Sequence, residues 1–184
     1  GMAIIYRSYY AFINNPLSTK DGFPTSAIYG FLNSIFKILK EEKPEYISIA
    51  LDAQKPTFRH AIFPDYKANR KKMPDDLRLQ IPEIKKILSK INANILISEG
   101  YEADDIIATY AKLAKQKGLD SLIISSDKDL MQLVNDKVEM LDPMKNKRIG
   151  IFEVIEKFGV KPDKVIQIQA LTGDKVDNIP GAPG

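Results

Sequence analysis

Cysteine and tryptophan are absent from this 184-residue chain, and histidine occurs once, as His60. Without cysteine there are no disulfides and no thiolate metal centres. With a single imidazole, any metal site must be built almost wholly from oxygen donors, which suits hard divalent cations such as Mg²⁺ or Mn²⁺. No apolar run approaches the roughly 18 residues of a membrane-spanning helix. Neither a GxxxxGK[ST] phosphate loop nor a GxGxxG fingerprint occurs, which argues against a nucleotide-binding enzyme. Internal repeats and low-complexity segments are also missing. A composition of 44% hydrophobic and 28% charged residues suits a folded domain with a real core. The net charge of +3 says little as a total; its distribution along the chain says more.

Apolar runs of strand type alternate with helical patterns. Residues 46–52 (YISIALD), 94–98 (NILIS), 121–126 (SLIISS) and 137–141 read as strands. Helices are expected from an N-cap at Thr25 to about Lys40, with Ile28, Phe31, Leu32, Ile35 and Leu39 on one face, and over 77–90, with Ile81, Ile84 and Leu88 inward. A further helix over 103–117 is closed by Gly118, and shorter ones fall near 151–158 and 162–171. Strands spaced by helices predict an α/β fold with a mostly parallel central sheet flanked by helices. Tyr6, Tyr9, Tyr10 and Phe12 are most simply core residues of a first helix, and His60 is structural or exposed. The first residues already lie in an apolar segment and the last form a turn, so both ends are expected to be cut.

In such sheets ligands bind outside the carboxyl ends of the strands, and the acids gather there. Asp52 closes the first strand, Glu102, Asp104 and Asp105 follow the second, and Asp127 and Asp129 follow the third. Asp174 and Asp177 sit three apart in a polar loop. A lone Asp at a helix start is usually a cap favoured by the helix dipole. A convergence of acids is different, because like charges a few ångström apart repel by roughly 1–4 kcal/mol per pair. Cations relieve that repulsion, and two Mg²⁺ or Mn²⁺ ions can activate a water and steady a leaving oxygen in phosphodiester hydrolysis.

The stretch from Lys55 to Lys90 is basic, and its centre, 63–74 (FPDYKANRKKMP), reads as a mobile loop. Lys55, Arg59, Lys67, Arg70, Lys71 and Lys72 could neutralise phosphates, and Tyr66 could stack on an unpaired base. Arg7, on the first helix, is placed to face a phosphate rather than to be buried unpaired. A solvated charged face is the usual fate of such a run. An adjoining acid-tipped strand tips the balance toward nucleic acid.

Together the runs 63–70 (FPDYKANR), 100–105 (GYEADD), 126–130 (SDKDL) and 173–184 (GDKVDNIPGAPG) resemble the 5′-nuclease domain of bacterial DNA polymerase I, a 5′–3′ exonuclease and flap endonuclease family with a PIN-like fold. Residues 6–12 and 75–77 resemble it too, so the match runs the whole chain in order. The resemblance implies a PIN-like catalytic core over 1–172 with an arch at about 55–90, and the start of a helix–hairpin–helix region over 173–184. It implies two metal groups: Asp52, Glu102, Asp104 and Asp105, then Asp127, Asp129, Asp174 and Asp177, some acting through water. Asp52, Asp105, Asp127, Lys67 and Arg70 would be catalytic, Arg7, Lys67 and Arg70 engaging the scissile phosphate region and Tyr66 lying near the displaced base. The implied partner is DNA with 5′ single-stranded flaps, nicks or RNA primers, cut to leave a 5′-phosphate. A monomer in the bacterial cytoplasm, associated with the nucleoid and away from membranes, is expected, with or without a following polymerase domain.

The family also has an N-terminal strand ending in a further Asp just before the position of Gly1, and a duplex-binding element with K⁺ beyond Gly184. An active parent protein is thus implied, with the activity of this chain alone left open. Two other readings stand beside the nuclease: a non-catalytic branched-DNA-binding module, and a PIN-type ribonuclease.

Overall fold

A computed structural model describes residues 1–53 and 55–183; Gly184, the last residue of the expected duplex-binding turn, lies outside the described residues. In chain order the elements are α1 (Met2–Ala11), α2 (Ser26–Glu42), β1 (Ser48–Ala50), α3 (Phe58–Ile62), α4 (Asp75–Lys90), β2 (Asn94–Leu96), α5 (Ala103–Gln116), β3 (Ser121–Ile124), β4 (Val138–Asp142), β5 (Lys147–Ile149), α6 (Ile151–Phe158) and α7 (Val165–Thr172). Short 3₁₀ turns lie at Lys128–Leu133 and Pro162–Lys164. The chain divides into two compact units, one of residues 1–52 and 71–97, the other of 53–70 and 98–184.

In the first unit β1 and β2 pair in parallel, Ser48 opposite Asn94 and Ala50 opposite Leu96. Ile4, Ile5, Phe31, Ile35, Leu51, Leu77, Ile84 and Leu88 form its buried side. The expected inward face of α2 is therefore largely seen, while Ile81 of α4 is only half-buried and Leu77 takes the deeper place. The aromatic core expected of α1 gives way to Ile4, Ile5 and Ser8; Tyr10 is exposed, and Phe12 meets Tyr29 edge to face near the helix ends. Gly30 explains how closely α1 approaches α2, since a Cβ there would lie 2.8 Å from the Ser8 Cβ.

Thr25 occupies the N-cap of α2, but its side chain caps nothing. The work passes to a buried amide from α4. Gln80 is 0% exposed. Its Oε1 accepts the N–H groups of Ala27 at 2.8 Å and Ile28 at 3.2 Å, while Nε2 donates to the Asp76 carbonyl at 2.9 Å. The first-turn amides that every helix leaves unpaired are thus met across a tertiary contact.

In the second unit β3 and β4 pair in parallel, and β5 returns antiparallel on β4, Met140 opposite Ile149. Strand β5 went unread because Lys147 and Arg148 interrupt any apolar run, leaving only Ile149 buried. Ile123, Val134, Val138, Met140, Val154 and Val165 pack together as the core of this unit. The expected third helix ends at Gln116, and Gly118 follows with φ +75°, the left-handed conformation glycine adopts without strain.

Replacing Gln80 by Met removes both acceptor and donor from a sealed site and strands two amides. We expect a loss of about 2–4 kcal/mol in urea unfolding, from roughly 1–3 kcal/mol per unsatisfied buried group. A loss under about 0.5 kcal/mol would show that α2 does not depend on this amide.

Candidate metal centre and nucleic-acid interface

The acids of the second unit stand at two helix starts and one loop. Glu102 and Asp105 open α5 as a reciprocal capping box, in which the Asp105 carboxylate accepts the Glu102 N–H at 2.9 Å and the Glu102 side chain accepts the Asp105 N–H. This spacing suits a helix start on local grounds alone. Each carboxylate also holds partners the helix does not supply. Arg59, on α3, clasps Asp105 with two bonds of 2.7 and 2.8 Å. Glu102 receives the Tyr66 hydroxyl at 2.9 Å and the Lys67 ammonium at 2.7 Å.

Asp127 and Asp129 bracket Lys128 where β3 gives way to the 3₁₀ turn. Asp127 accepts the Asp129 N–H at 2.9 Å, and its own N–H donates to the Ser125 hydroxyl at 3.1 Å. The side-chain amide of Gln169, on α7, donates to Asp129. Asp174 and Asp177 lie on a loop closed by a backbone pair, Asp174 N–H to the Ile179 carbonyl at 2.9 Å and Ile179 N–H to the Asp174 carbonyl at 2.7 Å. Gly173 forms its neck at φ +68°, where a Cβ would meet the Ile179 carbonyl oxygen at 2.5 Å. The Lys128 ammonium reaches Asp174 at 2.9 Å. Asp177 receives Arg70 at 2.6 Å, the Tyr66 hydroxyl at 3.4 Å and Lys67 at 3.7 Å.

Segment 63–70 is docked on this loop, contrary to the mobile stretch expected. The Lys67 N–H donates to the Asp177 carbonyl at 3.0 Å, the Asn69 amide to the Lys175 carbonyl at 3.1 Å, and the Asn178 amide to the Asp65 carbonyl at 2.9 Å. The prolines and lysines that suggest a loop in sequence give no hint of these long-range backbone partners.

Asp127, Asp129, Asp174 and Asp177 line one cleft of about 320 Å³, together with Lys128, Lys157 and Arg70. Burial, and next to it the Asp127 charge, push the Asp129 carboxyl above its ordinary pKa. The hydrogen bond from Arg59 holds Asp105 below its ordinary value, and the bond from Lys128 does the same for Asp174. Among the described residues no three carboxylates converge closely enough to hold a metal ion as they stand. The pairings explain this: Glu102, Asp105, Asp174 and Asp177 each turn toward a lysine or arginine of the same unit.

The remaining expected site residues divide between the two units. Asp104 lies in the first turn of α5. Asp52 follows β1 in the first unit, which also carries Arg7 on α1 and the exposed Lys71 and Lys72. Lys55 pairs with Glu99 at 3.0 Å in an exposed ion pair of small energetic weight. His60 is structural, its Nδ1 meeting the Thr57 N–H at 3.2 Å. Three residues escaped the sequence reading. Lys128 sat inside SDKDL, hidden between the acids it serves. Lys157 and Gln169 lie on helices after the last motif acids of β3, where no local pattern signals a turn toward the cleft.

Tyr66 corrects the expectation of an open stacking surface. Its ring is 5% exposed, lies edge to face with His60, and has its hydroxyl on Glu102 and Asp177. A Tyr66→Phe change should therefore lower stability by about 1–2 kcal/mol in urea unfolding, although the ring is kept, because two carboxylates lose a donor. Stability unchanged within about 0.3 kcal/mol would leave the hydroxyl without a bridging role.

The sequence model of the family described as 5′-3′ exonuclease, N-terminal resolvase-like domain, matches residues 1–159. A 5′-3′ exonuclease of Aquifex aeolicus is 48% identical over 184 residues, covering all of this chain and 63% of the relative. DNA polymerase I of Rhizobium leguminosarum is 45% identical over 192 residues, covering all of this chain but 19% of that protein. Among solved structures, the 5′-exonuclease of bacteriophage T5 with bound divalent metal ions (zinc) superposes with a TM-score of 0.77 at 25% identity, covering all of this chain and 68% of that one. The T5 flap endonuclease in a pseudo-enzyme-product complex with DNA and metal ions shares the fold, with a TM-score of 0.79 at 24% identity over the same shares. The chain, a mixed α/β protein of PIN type, belongs to the family of 5′-3′ exonuclease N-terminal, resolvase-like domains.

Proposed function

We propose that this chain is the core of a divalent-metal-dependent 5′–3′ exonuclease and structure-specific flap endonuclease that hydrolyses DNA phosphodiesters to leave a 5′-phosphate. The observation that carries this reading is the cleft of the second unit, lined by four carboxylates from two separate segments together with Arg70, Lys128 and Lys157. Its donors fit Mg²⁺ or Mn²⁺: all are hard oxygens, and Asp129 carries a carboxyl raised by burial and then by the Asp127 charge, which a cation would offset. Asp127, Asp129, Asp174 and Asp177 would hold one ion, and Glu102, Asp104 and Asp105 would contribute to a second. Bound there, such ions would supply an activated water and neutralise charge at the leaving oxygen.

The chain's own cations supply the rest. Arg59 and Arg70 present planar forks that suit phosphate as well as carboxylate, and Lys67 adds a compact charge between Glu102 and Asp177. A backbone phosphate entering beside these acids would compete for the same donors. The Tyr66 hydroxyl meets Glu102 and Asp177, so these acids would keep a neutral donor if the cations turned to a phosphate.

The substrates in this reading are DNAs with 5′ single-stranded flaps, nicks or RNA primers, met in the bacterial cytoplasm at the nucleoid by a monomer. Residues 1–172 would form the catalytic core and 173–184 the opening of a helix–hairpin–helix. The named relatives support either a stand-alone exonuclease or the front part of a DNA polymerase I.

Cutting of a 5′-flap duplex in Mn²⁺ tests the reading. Asp127→Asn should lower the cleavage rate by about 1000-fold, equivalent to roughly 4 kcal/mol of barrier, while leaving flap binding near that of the parent. A flap left whole by the parent protein in Mn²⁺ would sink the proposal. An all-RNA counterpart cut in preference to the DNA would point to the ribonuclease. A second reading is a branched-DNA-binding module, in which the acids keep the lysine and arginine partners they have here. Calorimetric titration separates the two: saturable Mn²⁺ binding supports the nuclease, and none supports the module.

A further inference from the structure

Lys128 is the one basic residue flanked on both sides by acids of the cleft. Its side chain, though partly exposed, does not pair with the aspartate on either side of it. It crosses to a carboxylate 46 residues further along the chain, meeting Asp174 at 2.9 Å, with 41% of the lysine side chain and 16% of the aspartate exposed. The same ammonium lines the cleft that holds Asp127, Asp129 and Asp177. We infer that Lys128 is the tethered counter-ion of this acid group, occupying at Asp174 the place a divalent cation takes, so that metal loading releases the ammonium into the cleft as a contact for a substrate phosphate.

The inference rests on the proposed metal-dependent nuclease and adds to it a residue outside the acid set. Three observations support it. Asp174 is anchored independently of Lys128, since its Oδ1 accepts the Val176 N–H at 2.7 Å and the Asp177 N–H at 3.3 Å. Removing the lysine therefore leaves the carboxylate in position. Lys128 also belongs to the turn that carries Asp127 and Asp129, so its charge cannot diffuse away when displaced and stays within reach of the cleft. Finally, a lysine is a compact point charge on a flexible stem, suited to exchange between a carboxylate and a phosphate.

The alternative is a purely structural ion pair that ties the turn to the 174–179 loop, and it predicts the opposite sign. If the pair merely aligned the acids, its loss would loosen metal binding. If the ammonium competes with the metal, its loss tightens binding. Titration of the metal-free chain with Mn²⁺ by calorimetry reads the difference without recourse to cleavage. Lys128→Met should bind Mn²⁺ about tenfold more tightly, a change typical of one nearby unit charge. Lys128→Arg, which keeps the charge, should match the parent. Lys175→Met removes the same charge from an exposed neighbour of Asp174 and should change affinity by no more than about twofold. Lys128→Gln keeps the test if circular dichroism shows the Met variant unfolded. Affinity equal to or weaker than the parent's in the folded Lys128→Met or Lys128→Gln variant overturns the inference while the nuclease reading survives. An absence of saturable Mn²⁺ binding in every chain, the parent included, overturns both.

Discussion

One ammonium group organises the second unit. Lys67 Nζ lies 2.7 Å from Glu102 and 3.7 Å from Asp177, two carboxylates delivered by the start of a helix and by a loop near the end of the chain. Without a cation between them these charges would repel, and the lysine backbone bonded to Asp177 is one of several bonds that seat the segment carrying Tyr66 and Arg70. Lys67 accepts a left-handed backbone, φ +57°, to make both contacts at once. A non-glycine residue held there is a sign that the surrounding contacts outweigh local preference.

The rest of the cleft follows the same logic of compensation. Arg59 answers Asp105, Arg70 answers Asp177 and Lys128 answers Asp174, so the acids are brought near one another without being left to repel freely. Asp129 takes the neutral amide of Gln169 instead of a lysine or arginine bond, and burial drives its carboxyl upward. The second unit thus meets most of these carboxylates with a cation of its own. The first unit solves its polar problem differently: the amides that open α2 are met by the uncharged Gln80, sealed from water, where an ion would be far more costly to bury.

Much of this was legible in the chain. The helices announced themselves through apolar spacing, as at Phe31 and Ile35, and through the stop at Gly118. Strand ends pointed to the acids, because in α/β folds loops after strands carry ligands. What could not be read were interactions between residues far apart in sequence and unremarkable locally. Gln80 looks like any polar residue of an amphipathic helix. Lys147 and Arg148 mask an edge strand whose pairing comes from backbone groups. Tyr66 stands in a basic run that suggests exposure, yet its ring is buried because three other residues of the unit, His60, Glu102 and Asp177, close around it.

The loop that carries Asp174 and Asp177 is a small ring, pinned at its base by the reciprocal backbone pair between Asp174 and Ile179. Its neck leaves no space for a side chain at Gly173, and none at Gly181, where a Cβ would lie 2.7 Å from the Thr172 carbonyl oxygen. Two acids held by a ring have a separation fixed by the number of residues in it rather than by their own rotamers. The exposed Lys175 and Val176 on its rim are therefore exchangeable parts, whereas a single inserted residue would swing Asp177 off Arg70, Lys67 and Tyr66 together. At this point of the molecule the length of a turn, and not the identity of most residues in it, sets the spacing of the two carboxylates.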